Sequence, residues 1–313
     1  MNRQIFTNRE HEIRFFSVLL VALIFAIAVS VLAGSNIRRE DFSVPTQVTK
    51  VFPKVHLEAK GAYVYDARNK TVLYAQNEDE SLPLASISKV MTALVAVSSG
   101  RPYDTVSVTK EALNVTGDSG LYRDEKWSLK DILDFSLITS SNDGMHAVAL
   151  AMGALSKVDP TPHEAIQDFV YKMNVKSQEL GLTNTHFINE TGLDESLVDA
   201  GAYSSAKDIN TLMEYVLTYY PDLLEVTRET DINIKSLDNH THVATNTNSI
   251  VGTIPGLLAS KTGFTDLAGG NLTIVFDPEI GRPIIVTVMG SSSEGRFEDV
   301  RTLVDATMQY IGN

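Results

Sequence analysis

The chain contains no cysteine, which excludes disulfide bonds and thiolate chemistry of any kind. A cytoplasmic protein and an exported bacterial one both tolerate that lack, so it assigns no compartment. Basic residues are also scarce: 26 Lys and Arg against 39 Asp and Glu leave a formal net charge of −13. A nucleic-acid binder presents a basic face, so no nucleic-acid partner is expected. The seven histidines fall in no H-E-x-x-H or comparable spacing, so no metal and no cofactor are expected. Internal repeats and low-complexity tracts are absent as well. What remains is a chain of 313 residues, 43% hydrophobic and 21% charged. That is an ordinary globular composition, with room for one large domain or two small ones.

The one long uncharged run is Phe15–Ala33, polar only at Ser17 and Ser30. As a helix its 19 residues span about 28 Å, close to the roughly 30 Å hydrocarbon core of a bilayer. A cleaved signal peptide carries a shorter apolar region, of about 7–15 residues. An uncleaved transmembrane anchor over 15–33 is therefore expected, although Val31-Leu32-Ala33 would serve as a cleavage site. Flanking charge does not orient the segment, because Arg3, Arg9 and Arg14 before it balance Arg38, Arg39 and Lys50 after it. Residues 34–55, with mixed charge, Pro45 and Pro53, read as a linker to a domain over 56–313.

Within that domain, Gly61–Tyr65 and Thr71–Ala75 are β-rich runs around Asp66-Ala67-Arg68-Asn69-Lys70, a hairpin pattern. Leu84–Ser99 has helical spacing and stops at Gly100-Arg101-Pro102. Ser128 opens a helix through Ile132, Leu133, Phe135 and Leu137. Further helices are expected at His146–Met152, at Ala165–Leu180 and at Phe297–Ile311, and strands at Leu257–Thr262, Asn271–Phe276 and Pro283–Met289. Strands first, helices in the middle, then strands and a final helix make an α+β domain.

Three short motifs carry chemistry. Ser86-Ile87-Ser88-Lys89 puts an amine three residues from a hydroxyl at a helix start, where the two share a face. A serine hydroxyl is a weak nucleophile until a base takes its proton, and an amine can be that base. Ser140-Ser141-Asn142 offers a hydroxyl and an amide in a tight connection, although Ser and Asn are also common helix caps. Lys261-Thr262-Gly263 lies in a strand-like run that can pair with an extended peptide backbone. Gly263 leaves room for close approach, Lys261 brings a positive charge and Thr262 can bind a carboxylate. Each motif alone is weak, since a helix start, a cap and a turn explain them.

Together and in this order they resemble the S-x-x-K, S-x-N, K-T-G set of penicillin-binding proteins and serine β-lactamases. The separations, 54 residues from Ser86 to Ser140 and 121 from Ser140 to Lys261, look most like the low-molecular-mass D-alanyl-D-alanine carboxypeptidases. The resemblance runs over about residues 56–312. It takes in Ala62–Ala67, Pro83-Leu84-Ala85, Phe187–Leu193, Tyr203–Asp208, Asn246-Thr247-Asn248 and Arg296-Phe297. The sequence departs from the family pattern at Ser141, where glycine is frequent, at Asp124 before Glu125-Lys126, and at Phe264 after the K-T-G. None of these removes a reacting group. The chain ends soon after this domain, without the C-terminal β-rich domain and amphipathic helix of many relatives, so the N-terminal helix is expected to supply membrane attachment.

The resemblance implies a β-lactamase/transpeptidase-like fold, an antiparallel sheet flanked by helices with a helical subdomain. It also implies a serine-type carboxypeptidase acting on peptidoglycan stem peptides, with Ser86 as nucleophile, Lys89 as base and Ser140 as proton relay. Asn142, Lys261, Thr262, Gly263 and Arg296 would bind substrate, and backbone N–H groups of Ser86 and Phe264 would form an oxyanion hole. β-Lactams would acylate the same serine. The catalytic domain would lie outside a bacterial membrane crossed once, with residues 1–14 cytoplasmic. A D,D-endopeptidase shares this machinery. A class A β-lactamase would need a Glu-x-x-Leu-Asn motif after the S-x-N, and Glu111-Ala112-Leu113-Asn114 lies before it. A catalytically dead binding or β-lactam-sensing module would not need the reacting groups intact. Gly117-Asp118-Ser119-Gly120 has a serine-protease look, but loop composition explains it.

Overall fold

The protein is described by a computed structural model covering residues 4–34 and 50–312, with side chains of the N-terminal helix described at 14–30. The chain divides into two units, Met1–Lys50 and Val51–Asn313. The first holds helix α1, Gln4–Gly34. Among the described residues, no helix is long and apolar enough to cross a membrane. The expected transmembrane helix before the domain therefore does not stand. Single-pass localisation and the membrane as a partner through that helix fall with it. Residues 35–49 of the expected linker lie outside the described residues.

The second unit begins with strands β1 (Gly61–Asp66), β2 (Thr71–Gln76) and β3 (Leu82–Pro83), then helix α2 (Lys89–Ser99). Strands β4 (Thr105–Ser107) and β5 (Lys126–Ser128) precede helices α3 (Leu129–Thr139), α4 (Asn142–Ala154) and α5 (Pro162–Glu179). Strands β6 (His186–Phe187) and β7 (Ala202–Ser204), helix α6 (Ala206–Tyr219) and the hairpin β8 (Asp231–Lys235) with β9 (Thr241–Thr245) follow. The chain closes with β10 (Leu257–Thr265), β11 (Gly269–Phe276), β12 (Ile284–Ser291) and α7 (Gly295–Gly312). It is an α+β fold: a five-stranded sheet in the order β10-β11-β12-β1-β2, antiparallel at every pairing, with helices on both faces.

Strand periodicity explains how the sheet divides the core. Successive side chains of a strand point to opposite faces. Ala62 and Val64 of β1, Leu272, Ile274 and Phe276 of β11, and Ile284, Val286 and Val288 of β12 join Phe297, Val300, Leu303 and Val304 of α7 in one cluster. The intervening Tyr63, Val275, Ile285 and Met289 face the other way, into the cluster holding α2 to α6. Covered on both sides, β11 and β12 read as near-continuous apolar runs. The sheet's outer strand, β10, pairs only with β11, which leaves its other edge for a different partner.

Local sequence accounts for the helix limits. Ser128 accepts from the Asp131 N–H and caps α3, and Thr161 with Glu164 forms a full capping box at α5 with Pro162 in the first turn. α4 starts at Asn142, four residues before the expected His146, because Ser141 caps it by accepting from the Gly144 N–H. The helix expected over Leu84–Ser99 is split: Ala85–Ser88 is a 3₁₀ turn and α2 begins only at Lys89. The structure adds elements not expected from the sequence, the short strands β3 to β7, α6 and the β8–β9 hairpin. α6 carried a usable signal, a Ser205 cap with Asp208 three residues on, then Ile209, Leu212, Met213 and Val216 buried at helical spacing. The β8–β9 hairpin alternates exposed and less exposed residues, a period-2 pattern that also sits in the sequence.

Candidate active site

The 3₁₀ turn decides how the first motif is built. With three residues per turn, side chains at i and i+3 eclipse, so Ser86 and Lys89 stand side by side. Lys89 Nζ donates to Ser86 Oγ at 2.7 Å and to the Thr191 carbonyl at 2.7 Å. Several contacts hold the turn. Asn271 Nδ2 of β11 donates to the carbonyls of Pro83 and Leu84. Ala85 adopts a left-handed φ of 51°, a conformation L-residues take only where surroundings impose it. Gly192, at φ +79°, lies so close beneath that a Cβ there would sit 2.0 Å from the Ala85 carbonyl oxygen.

Lys89 is fully buried. Burial drives its ammonium down to about 7, against the opposing pull of the Glu190 and Asp143 carboxylates. An amine that is substantially free at neutral pH and touches a hydroxyl can accept that hydroxyl's proton.

The second motif lies where α3 passes into α4. Ser140 takes a left-handed φ of 60° as the C-cap of α3, a position that glycine or asparagine usually fills. This turn aims its hydroxyl at β10, and Lys261 Nζ donates to Ser140 Oγ at 2.9 Å and to the Thr262 carbonyl at 2.9 Å. Lys261 is buried too. Burial first, then the neighbouring cations Lys89 and Arg296, push its pKa well below the usual lysine range. Asn142 Nδ2 donates to the Thr116 carbonyl at 2.8 Å, while its Oδ1 is buried without a hydrogen-bond partner. The loop at Gly117–Gly120 flanks this residue: a Cβ on Gly117 would come within 3.1 Å of Asn142 Nδ2, and the Ser119 N–H donates to Asp143 Oδ2.

The third motif occupies β10 and runs beside the nucleophile's turn. A Cβ on Gly263 would lie 2.9 Å from the Leu84 carbonyl oxygen and 3.2 Å from the Ser86 nitrogen, so only glycine lets the strand come this close. Thr262 Oγ1 shares a hydrogen with Thr247 Oγ1 at 2.5 Å, which brings Asn246-Thr247-Asn248 to the site. Arg296, at the start of α7, donates from Nη1 to the Gly263 carbonyl at 2.7 Å. Its guanidinium lies over the rings of Phe264 and Phe297, and its Nε is buried without a partner. Phe264 itself is half exposed on the strand.

The structure thus brings Ser86, Lys89, Ser140, Asn142, Lys261, Thr262, Gly263, Phe264 and Arg296 to one end of β10. Among the described residues there is no group of three His, Asp or Glu side chains that could hold a metal. The Thr191 carbonyl went unassigned in the sequence because a backbone acceptor carries no side-chain signature. The pairing of His146 with Glu190, 2.6 Å apart, also went unread, because the two lie on separate elements.

The chain is similar in sequence and in fold to several known proteins. Residues 46–293 match a family described as D-alanyl-D-alanine carboxypeptidase, Peptidase_S11. The D-alanyl-D-alanine carboxypeptidase DacF of Bacillus subtilis (strain 168) is 30% identical over 299 residues, covering 93% of this chain and 71% of that protein. A D-alanyl-D-alanine endopeptidase of Escherichia coli (strain K12) is 31% identical, covering 73% of this chain and 70% of its own. Among solved structures, Penicillin-Binding Protein D2 from Listeria monocytogenes in its ampicillin-bound form is similar at a TM-score of 0.67 and 28% identity, over 81% of this chain and 98% of that one.

Proposed function

Since the chain belongs to the D-alanyl-D-alanine carboxypeptidase family, we propose that it removes the terminal D-alanine from peptidoglycan stem peptides through an acyl-enzyme on Ser86. The observation that carries this reading is the buried Lys89 amine, pushed down to about 7 and 2.7 Å from Ser86 Oγ.

In the proposed reaction Ser86 Oγ attacks the carbonyl carbon of the penultimate D-alanine and gives its proton to Lys89 Nζ. The oxyanion is held by the backbone N–H groups of Ser86 and Phe264. Collapse breaks the C–N bond, and Ser140, kept in place by Lys261, passes a proton to the departing amine. Water then cleaves the ester and restores Ser86. Asn142 and the edge of β10 at Lys261-Thr262-Gly263 hold the peptide backbone, and Thr262 with Arg296 receives the terminal carboxylate. Such a substrate puts the catalytic domain outside the cytoplasm. β-Lactams would enter as substrate mimics and remain on Ser86.

Cleavage of cross-links is the second reading, favoured by the similarity to the Escherichia coli endopeptidase. Incubation with purified muropeptides separates the two. The carboxypeptidase reading expects free D-alanine from monomeric pentapeptides, and mass spectra shifted by one alanine residue. Conversion of cross-linked dimers to monomers with pentapeptides left intact would replace it by the endopeptidase reading. Rapid turnover of penicillin would point instead to a β-lactamase.

A further inference from the structure

Three hydrogen bonds converge on the two residues before Gly192. The Glu190 carbonyl accepts from Thr92 Oγ1 of α2 at 2.6 Å. The Thr191 carbonyl accepts from Lys89 Nζ. The Glu190 carboxylate, itself buried, meets His146 Nδ1 of α4 at 2.6 Å. His146 lies one helical turn beyond Asn142, on the helix that the S-x-N motif begins. A buried carboxylate needs a partner, and His146 is the partner this chain supplies. The segment that anchors the base is thereby tied to both helices flanking the nucleophile.

We propose that Glu190, held by His146, is a positioning residue for Lys89: it fixes the Thr191 carbonyl against the amine and supplies a negative charge whose strength His146 controls. This rests on the reading of Lys89 as the base for Ser86. The charged groups facing Lys89 are Glu190 from this segment, Asp143 from α4 and Lys261 from β10. Of these, Asp143 is engaged by Ser141 and the Ser119 N–H, and Lys261 by Ser140. Glu190 is thus the carboxylate whose effect a nearby histidine can adjust. A negative neighbour favours the protonated amine, and a cationic or hydrogen-bonding histidine weakens that effect. Removing the charge should therefore free the amine at lower pH, and removing the histidine should delay it to higher pH.

The test is the pH dependence of Ser86 acylation by a fluorescent penicillin, measured for the whole chain and for the Glu190→Gln and His146→Ala variants. Glutamine keeps the shape of Glu190 and an acceptor for His146. The expected result is a midpoint about one pH unit lower in Glu190→Gln and higher in His146→Ala. At pH 6, acylation of Glu190→Gln relative to its own plateau is then about fivefold that of the unaltered protein. Midpoints that coincide in all three proteins, with only plateau rates reduced, would overturn the proposal, because a purely structural role moves the rate alone. Shifts of both variants in one direction would overturn it as well. If Glu190→Gln fails to fold, the half-buried His146 still permits the alanine variant, whose midpoint decides. An unaltered protein that takes up no penicillin would overturn the functional reading itself, and the proposal with it.

Discussion

Lys89→Met should lower the rate of Ser86 acylation by about three orders of magnitude while leaving the protein folded. Methionine fills the cavity of the buried lysine with an apolar chain of similar length, so the fold loses a costly buried amine and little contact. Chemistry loses the acceptor of the Ser86 proton, now 2.7 Å away. Stopped-flow labelling with a fluorescent penicillin measures the rate, and a thermal melt checks the fold. The same amine fixes the pH profile of the unaltered protein. Because burial lowers Lys89 to about 7, acylation should rise with pH through that value and level off above it. A protonated ammonium cannot accept the serine proton, so the rate falls as pH drops. Labelling that is flat from pH 5 to pH 9, or undiminished in Lys89→Met, would remove Lys89 from the role of base.

Gly263→Val should cost about a hundredfold or more in acylation. A Cβ at this position already meets the Leu84 carbonyl oxygen at 2.9 Å, the Ala85 Cβ at 3.2 Å and the Ser86 nitrogen at 3.2 Å. Valine adds two methyl groups to that contact, so β10 must retreat from the nucleophile's turn. Retreat separates the Ser86 and Phe264 amides that would hold the oxyanion and breaks the Arg296 bond to the Gly263 carbonyl. Lys89 keeps its bond to the Thr191 carbonyl, which lies outside β10. Single-turnover acylation should therefore fall while keeping a rise with pH, a dependence that the Lys89 substitution abolishes.

The parts of the site that the sequence announced are those carried by side-chain identity over short spans. Ser86 with Lys89, Ser140 with Asn142, and Lys261 with Thr262 and Gly263 each occupy four residues or fewer, and their meeting follows from the family fold. Geometry imposed from a distance was not legible. The left-handed Ala85 and the 3₁₀ turn after it depend on Gly192 and Asn271, both over a hundred positions away in sequence. Ser140 takes a glycine-like conformation without being glycine. The Thr191 carbonyl has no residue signature at all. In the fold, sheet strands and capped helices could be read from period and cap residues, as at α3 and α5. α6 carries the same signals, while the anchor expected from the apolar N-terminal run does not stand, since among the described residues no helix is long and apolar enough to cross a membrane.

Everything proposed for the site depends on Ser86 being the nucleophile of a penicillin-sensitive acyl transfer. Mass spectrometry of the protein incubated with a penicillin tests it most directly. The expected result is a mass gain of one penicillin, located after proteolysis on the peptide containing Ser86, and no gain in Ser86→Ala. Adduct formation that persists in Ser86→Ala, or that maps to another residue such as Ser119 or Ser140, would contradict it.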